Sequence, residues 1–216
     1  MPLRGESKMA GRRLRAFVKS RRLSRHLSCL RRKRSNRKPK RKTNMPLVKD
    51  LLVEELQDLL HAEGQLVGAL PKMAAAANNP KLREAFEKHL VQTQTHVERL
   101  KQAFELLGEA AEPKPCRAMI GLVEEGQEVI EEGTDKEELA ADLALICAAQ
   151  KVEHYEISGY GTARALARQI GAIEVATLLS HTLGEEESAD HLLTTIAKPL
   201  LQEASIEDMA LEAASR

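Results

Sequence analysis

From Leu47 onward, apolar residues recur every three or four positions, the spacing that puts them on one face of an α-helix. Punctuating residues divide this pattern into helices. A first helix is predicted from about Leu47 to Ala77, bent near Pro71, whose ring removes a backbone donor. Asn78-Asn79-Pro80 ends it and starts the next, with Asn79 as N-cap and Pro80 at the first helical position. The second helix runs to Leu107 and stops at Gly108. A Pro-containing linker, Glu112 to Pro115, leads into a short helix from about Cys116 to Glu132, closed by Gly133. Thr134 with Glu137 forms a capping-box pattern that starts a third long helix reaching about Ile170. Gly171 turns the chain into a fourth long helix ending near Pro199, and the residues from Gln202 read as a frayed helical tail. Four long helices and a short one predict an all-α four-helix bundle over 45–201, flanked by segments 1–44 and 202–216.

Each long helix carries polar residues on its apolar stripe. On the first, Leu52, Leu56, Leu59, Leu66 and Leu70 are interrupted by Glu63. On the second, Leu82, Phe86, Leu100, Ala103 and Leu107 are interrupted by His89, Thr93 and His96. Two adjacent seams of the third hold Glu153 and Glu156, and the fourth places Glu186, followed by Asp190, between Leu179 and Leu193. Glu63 lies 16 residues before Asn79 and His96 lies 17 after it, so an antiparallel pair folded there sets them level. Glu156 and Glu186 are each 15 residues from Gly171. The two pairs share one layer only if the connection from Gly108 to Thr134 crosses the length of the bundle, because a local turn would leave them about 10 Å out of step.

A buried ionised Glu in place of Leu forfeits about 2 kcal/mol of apolar burial and adds a desolvation cost of several kcal/mol. Carboxylates from three helices around an imidazole from a fourth would repel one another, and bound cations compensate directly. Oxygen-rich sites with one or two His suit Fe(II), Fe(III) or Mn(II) better than Zn(II). The competing reading is a layer satisfied by its own hydrogen bonds, shared protons and water. His89, two turns from His96, reads as structural, and His154 as a residue facing away from the layer. Of the run Glu185-Glu186-Glu187, only Glu186 is on the stripe, the others reading as a solvated face.

Composition adds an asymmetry. The net charge of +1 conceals a segment 1–44 with 18 Lys and Arg against one acid, leaving 15 bases and 31 acids in the rest. Such a segment cannot bury enough apolar surface to order itself. It reads as a tether for non-specific nucleic-acid binding, as a targeting segment, or as an extension upstream of a start at Met45. Aromatic residues make up 2%, so the core must be aliphatic. Cys29, Cys116 and Cys147 show no paired spacing and read as reduced thiols of a cytoplasmic protein, and no run approaches the roughly 18 apolar residues of a membrane span.

The segments His61-Ala62-Glu63-x-Gln65-Leu66, Phe86-Glu87-x-His89-Leu90, Val97-Glu98-Arg99-Leu100, Cys116-x-Ala118-Met119-x-Gly121-Leu122 and Gln150-Lys151-Val152-Glu153-His154-Tyr155-Glu156-Ile157 resemble the YciE/YciF family of ferritin-like, stress-associated bacterial proteins. The resemblance spans about Leu47 to Ala197 and implies a metal centre of the di-iron or di-manganese carboxylate type. Its implied ligands are Glu63, His96, Glu153, Glu156, Glu186 and Asp190, with Glu153 or Glu156 bridging. The chain departs from the di-iron pattern at Thr93, where a Glu would stand, and at Asp190, where a His would stand at another spacing. The implied activity is oxidation of Fe(II) by oxygen or peroxide in a stress response, in a homodimer. The rival is a non-catalytic bundle that dimerises through its outer faces and binds no metal.

Overall fold

The computed structural model describes residues 47–214; the expectations of a disordered segment 1–44 and of a fold beginning at Met45 fall outside them. The chain forms α1 (Leu47–Ala76), α2 (Pro80–Leu107), α3 (Arg117–Gly133), α4 (Glu138–Gln169) and α5 (Ile173–Ala214). The long helices α1, α2, α4 and α5 make the bundle, each packed against two neighbours, α1 on α2 and α4, α5 on α2 and α4. The short α3 lies outside them against α1 and α4. This is the ferritin-like arrangement, with the segment between α2 and α4 as the long crossover.

Hydrogen bonds trace that crossover. At one end of the bundle, Lys49 Nζ donates to the carbonyl of Leu107, tying the start of α1 to the end of α2 (3.0 Å). The linker then climbs along α1, where Lys114 N donates to Gln57 O and Cys116 N to His61 Nδ1, both at 3.1 Å. At the far end, the Asp142 carboxylate on α4 accepts the backbone N–H groups of Asn78 and Asn79 at 2.8 and 2.7 Å. The start of α4 thus sits beside the start of α2. Asp142 is 3% exposed, so its removal strands two inward-facing N–H groups. Asp142→Ala is expected to lower unfolding free energy by about 2–4 kcal/mol in urea titration; a loss under about 1 kcal/mol would show that water replaces the carboxylate.

Local signals hold at the α1–α2 turn and after α2. The Asn79 side chain accepts from Lys81 N and Leu82 N, Pro80 opens α2, and Gly108 ends it at φ 67°, a left-handed conformation that costs a side-chain-bearing residue steric strain. Two boundaries differ from expectation. Thr134 does not open α4: its hydroxyl donates to Glu131 O at the end of α3, and α4 begins at Glu138. Pro199 does not end α5, which continues beyond Gln202 to Ala214. One lost donor there is outweighed by burial of Leu193, Ile196 and Leu200 on the same face.

The buried apolar residues fall into two clusters. Leu66, Leu70, Leu82, Phe86, Leu145 and Ile196 belong to one, and Leu52, Leu56, Leu100, Phe104, Ala163 and Leu179 to the other. On every long helix the residues between the two clusters are polar and buried: Glu63, then His89, Thr93 and His96, then Glu153 and Glu156, then Glu186. Just below this layer α1 and α4 approach closely, and a Cβ at Gly159 would lie 2.8 Å from Leu59 Cδ2.

Candidate metal centre

The layer gathers two groups of ligand-type atoms, each within 4.8 Å of one another: His89, Glu153, Glu156 and Glu186, and Glu63, His96 and Glu186. Glu186 is common to both. Its Oε1 lies 2.9 Å from His96 Nδ1 and its Oε2 lies 3.5 Å from His89 Nε2. Glu153 Oε1 approaches the same nitrogen of His89 (3.3 Å), and Glu63 Oε1 approaches His96 Nδ1 (3.3 Å). Tyr160, wholly buried on α4, donates its hydroxyl proton to Glu63 Oε1.

These contacts do not satisfy the groups that make them. Glu63 Oε2, His89 Nε2, Thr93 Oγ1, His96 Nδ1, Glu153 Oε2 and both carboxylate oxygens of Glu156 and Glu186 are buried without an aligned hydrogen bond. A fold tolerates such orphans rarely, since each forgoes about 1–3 kcal/mol of solvation. The electrostatics express the same mismatch. Burial, with Glu186 adding to it, pushes the Glu63 carboxyl up to about 7 against the pull of His96 and Tyr160. Burial and neighbouring acids hold Glu153 and Glu156 well above the usual carboxylate range. Burial alone would lower His96, yet Glu186 and Glu63 beside it push it up to about 10, while His89 is lowered by burial. Carboxylate oxygens and imidazole nitrogens lacking partners are the donor set of an Fe or Mn site, so the residues fit such an ion.

The orientation of His96 has a cause. Its Nε2 lies 2.8 Å from Glu185 Oε2, and Glu185 is clamped by Arg99, with Nη2 to Oε1 at 3.0 Å and a second bond from Nη1. Arg99 lowers the pKa of Glu185, so this side chain is a carboxylate that can only accept. His96 therefore donates from Nε2, which holds Nδ1 toward Glu63 and Glu186, the nitrogen that would face an ion once its proton is released. Glu185, expected on a solvated face, thus positions His96: it lies one residue off the stripe, within reach of Arg99 on α2. Glu185→Ala is expected to weaken Mn(II) binding about 10–100-fold in a chelator competition, with Glu185→Gln intermediate. Unchanged affinity in both variants would remove its positioning role.

Of the residues expected to form the site, Glu63, His96, Glu153, Glu156 and Glu186 come together. Asp190 belongs to neither group: it is half-buried and accepts from Gln150 Nε2 (2.9 Å), with the exposed His154 at 3.5 Å. His89, read as structural, stands inside the layer. The signal for it was the seven-residue spacing to His96, which keeps both imidazoles on one helix face. Its Nδ1 faces Gln92 Oε1 at 3.4 Å, and this leaves Nε2 toward the acids.

The chain matches the family described as Domain of unknown function (DUF892) over residues 48–206. Protein YciF of Escherichia coli (strain K12) is 46% identical over 155 residues, 71% of this chain and 92% of that protein. The crystal structure of E. coli YciF, described as a stress protein, aligns with a TM-score of 0.70 at 43% identity, covering 73% of this chain and 99% of that one. YcfI from Rhodopseudomonas palustris, described as a candidate structural protein, aligns at 0.65 and 36% identity over 72% of this chain and 97% of its own. A protein from Xanthomonas campestris pv. campestris shares the fold at 20% identity and a TM-score of 0.59, covering 75% of this chain and 99% of its own. With a family match across most of the chain and close identity to YciF, the protein belongs to the YciE/YciF family of ferritin-like, stress-associated bacterial proteins.

Proposed function

We propose that this protein binds iron or manganese in the buried layer and serves stress protection by turning over Fe(II) with oxygen or peroxide. The observation that carries the reading is the set of orphaned carboxylate and imidazole atoms, contributed by all four long helices, at the boundary of two apolar clusters. Glu63, His96 and Glu186 would hold one ion, and His89, Glu153, Glu156 and Glu186 a second, Glu186 offering one oxygen to each histidine side. Here His89 makes up for the carboxylate missing at Thr93. When bound, such a pair supplies one-electron steps between the divalent and trivalent states. The two apolar clusters close the layer along the bundle axis, Tyr160 holds a proton at Glu63 Oε1, and Glu185 with Arg99 fixes His96.

Full-length protein stripped with chelator and reconstituted anaerobically with Fe(II) or Mn(II) is expected to retain more than one ion per chain by elemental analysis. A Glu63→Ala, Glu153→Ala double variant is expected to retain little, and equal loading of the two would sink the proposal. A second reading, a non-catalytic bundle, draws support from the self-neutralising contacts of His96 with Glu63 and Glu186 and from the description of YcfI. It predicts a thermal midpoint unmoved by either ion. Homodimerisation, and nucleic-acid binding through 1–44, belong to the proposal as partners; no helix among the described residues is long and apolar enough to cross a membrane. Duplex-DNA affinity that survives deletion of 1–44 would exclude the tether.

A further inference from the structure

Beside the polar layer, α2 and α5 part to leave a cavity of about 400 Å³. Phe86 and Leu193 line its buried part, and Val91 and Leu192, 63% and 41% exposed, stand at its mouth. His89 and Glu153 are part of the same wall. Their side chains are 7% and 4% exposed, and each has a polar atom without a hydrogen-bond partner, Nε2 and Oε2. The cleft is therefore a largely apolar passage from solvent to two unpartnered polar groups.

Its size decides between occupants. Oxygen or hydrogen peroxide needs about the space of one or two waters, at about 30 Å³ each. The cavity is roughly ten times larger and falls within the range of about 300–1,000 Å³ that holds small organic ligands. Most of the wall is apolar, Lys88, Gln92, Glu185 and Ser188 being its other polar side chains, and Glu185 is already paired with Arg99 and His96, so a charged head carried past the apolar part would lose much of its hydration. We propose that this cleft binds a small neutral organic molecule with a compact apolar body, whose hydroxyl or hydroperoxyl head reaches His89 and Glu153. His89 Nε2 and Glu153 Oε2 are both buried on this wall without a hydrogen-bond partner, so a hydroxyl head, which can donate and accept, finds polar atoms there to pair with. The binding belongs to the cleft itself and does not require a metal ion.

Calorimetric titration of chelator-treated, full-length protein with 2-phenylpropan-2-ol is expected to show one saturable site with a Kd at or below about 1 mM. Cumene hydroperoxide is expected to compete for it. Ala189→Phe, which fills the cleft from α5, is expected to weaken binding at least tenfold while leaving the thermal midpoint and Mn(II) uptake in place. Leu192→Asp at the mouth, an exposed position that tolerates charge, is expected to weaken it severalfold. Three results would overturn the proposal: no saturable binding, binding untouched by both variants, or benzylamine binding tenfold more tightly than the alcohol. A dimer that excludes the probe and that both variants dissociate in sedimentation would also overturn it, by assigning the cleft to a second copy of the chain. Because the titration is done without metal, failure here leaves the metal-uptake experiment standing, and the reverse also holds.

Discussion

Glu156→Leu is expected to make the metal-free protein more stable while removing its response to metal. Glu156 is fully buried on α4, and neither carboxylate oxygen has a hydrogen-bond partner. Burial first, then Glu63, Glu186 and Glu153, raise its pKa well above the usual range, so the fold keeps it at the expense of stability. Leucine has similar volume and needs no partner, and replacing buried charged groups by well-packed apolar ones stabilises proteins by about 1–4 kcal/mol. For a bundle of this size that corresponds to roughly 2–15 °C in melting temperature. Scanning calorimetry of wild type and variant, each with EDTA and with Mn(II), reads both effects. The variant should melt higher in EDTA, and only the wild type should gain from Mn(II). A variant that melts lower in EDTA would mean that the carboxylate supports the metal-free fold and that the layer is structural.

The metal-free protein is also expected to lose stability as pH rises, and metal is expected to reverse the trend. Glu63 rises from 4.5 to about 7, and His96 from 6.5 to about 10. Between those limits the folded chain keeps protons that the unfolded chain has released, so unfolding free energy falls with pH. For Glu63 the contribution is complete below pH 4.5 and is lost by about pH 7, a change of roughly 3 kcal/mol. Glu153 and Glu156, also raised, act in the same direction, while His89, lowered by burial, opposes it only below its ordinary value of 6.5. Ligands must be deprotonated to bind an ion, so stabilisation by Mn(II) should grow with pH. Urea midpoints at several values from pH 5 to 8.5, with and without Mn(II), would show two curves of opposite slope. A metal-free midpoint that rises across this range would contradict the assignment of the buried protons.

Much of this arrangement was legible before the fold was seen, and its limits have definite causes. Asn79-Pro80, Gly108 and Gly171 were legible because a cap or a left-handed turn depends on a few adjacent residues. The stripes were legible because helical period alone puts Glu63, His96, Glu153, Glu156 and Glu186 among leucines. Thr134 was misread because its hydroxyl can serve the end of one helix as readily as the start of the next. Pro199 was misread because the penalty of a proline is local, whereas the burial of Leu200 that outweighs it is not. The spacing to His96 puts His89 on the stripe, but its contacts and those of Glu185 depend on partners 64 to 97 residues away, Glu153 and Glu186 for one and His96 and Arg99 for the other.

The amino-acid sequence by itself determined the helices, their apolar faces and the level at which each face turns polar, because all three follow from periodicity and short-range backbone chemistry. It also pointed to the crossover, the connection that aligns the four polar levels where a local turn would leave them out of step. The tertiary structure alone decided which polar atoms meet. It set His89 against Glu153 and Glu186, left Asp190 beside Gln150, and turned Nδ1 of His96 inward through Glu185 and Arg99. Those choices depend on side-chain direction across packed helices, where a shift of one residue rotates a group by about 100° and moves a carboxylate from the buried layer to solvent.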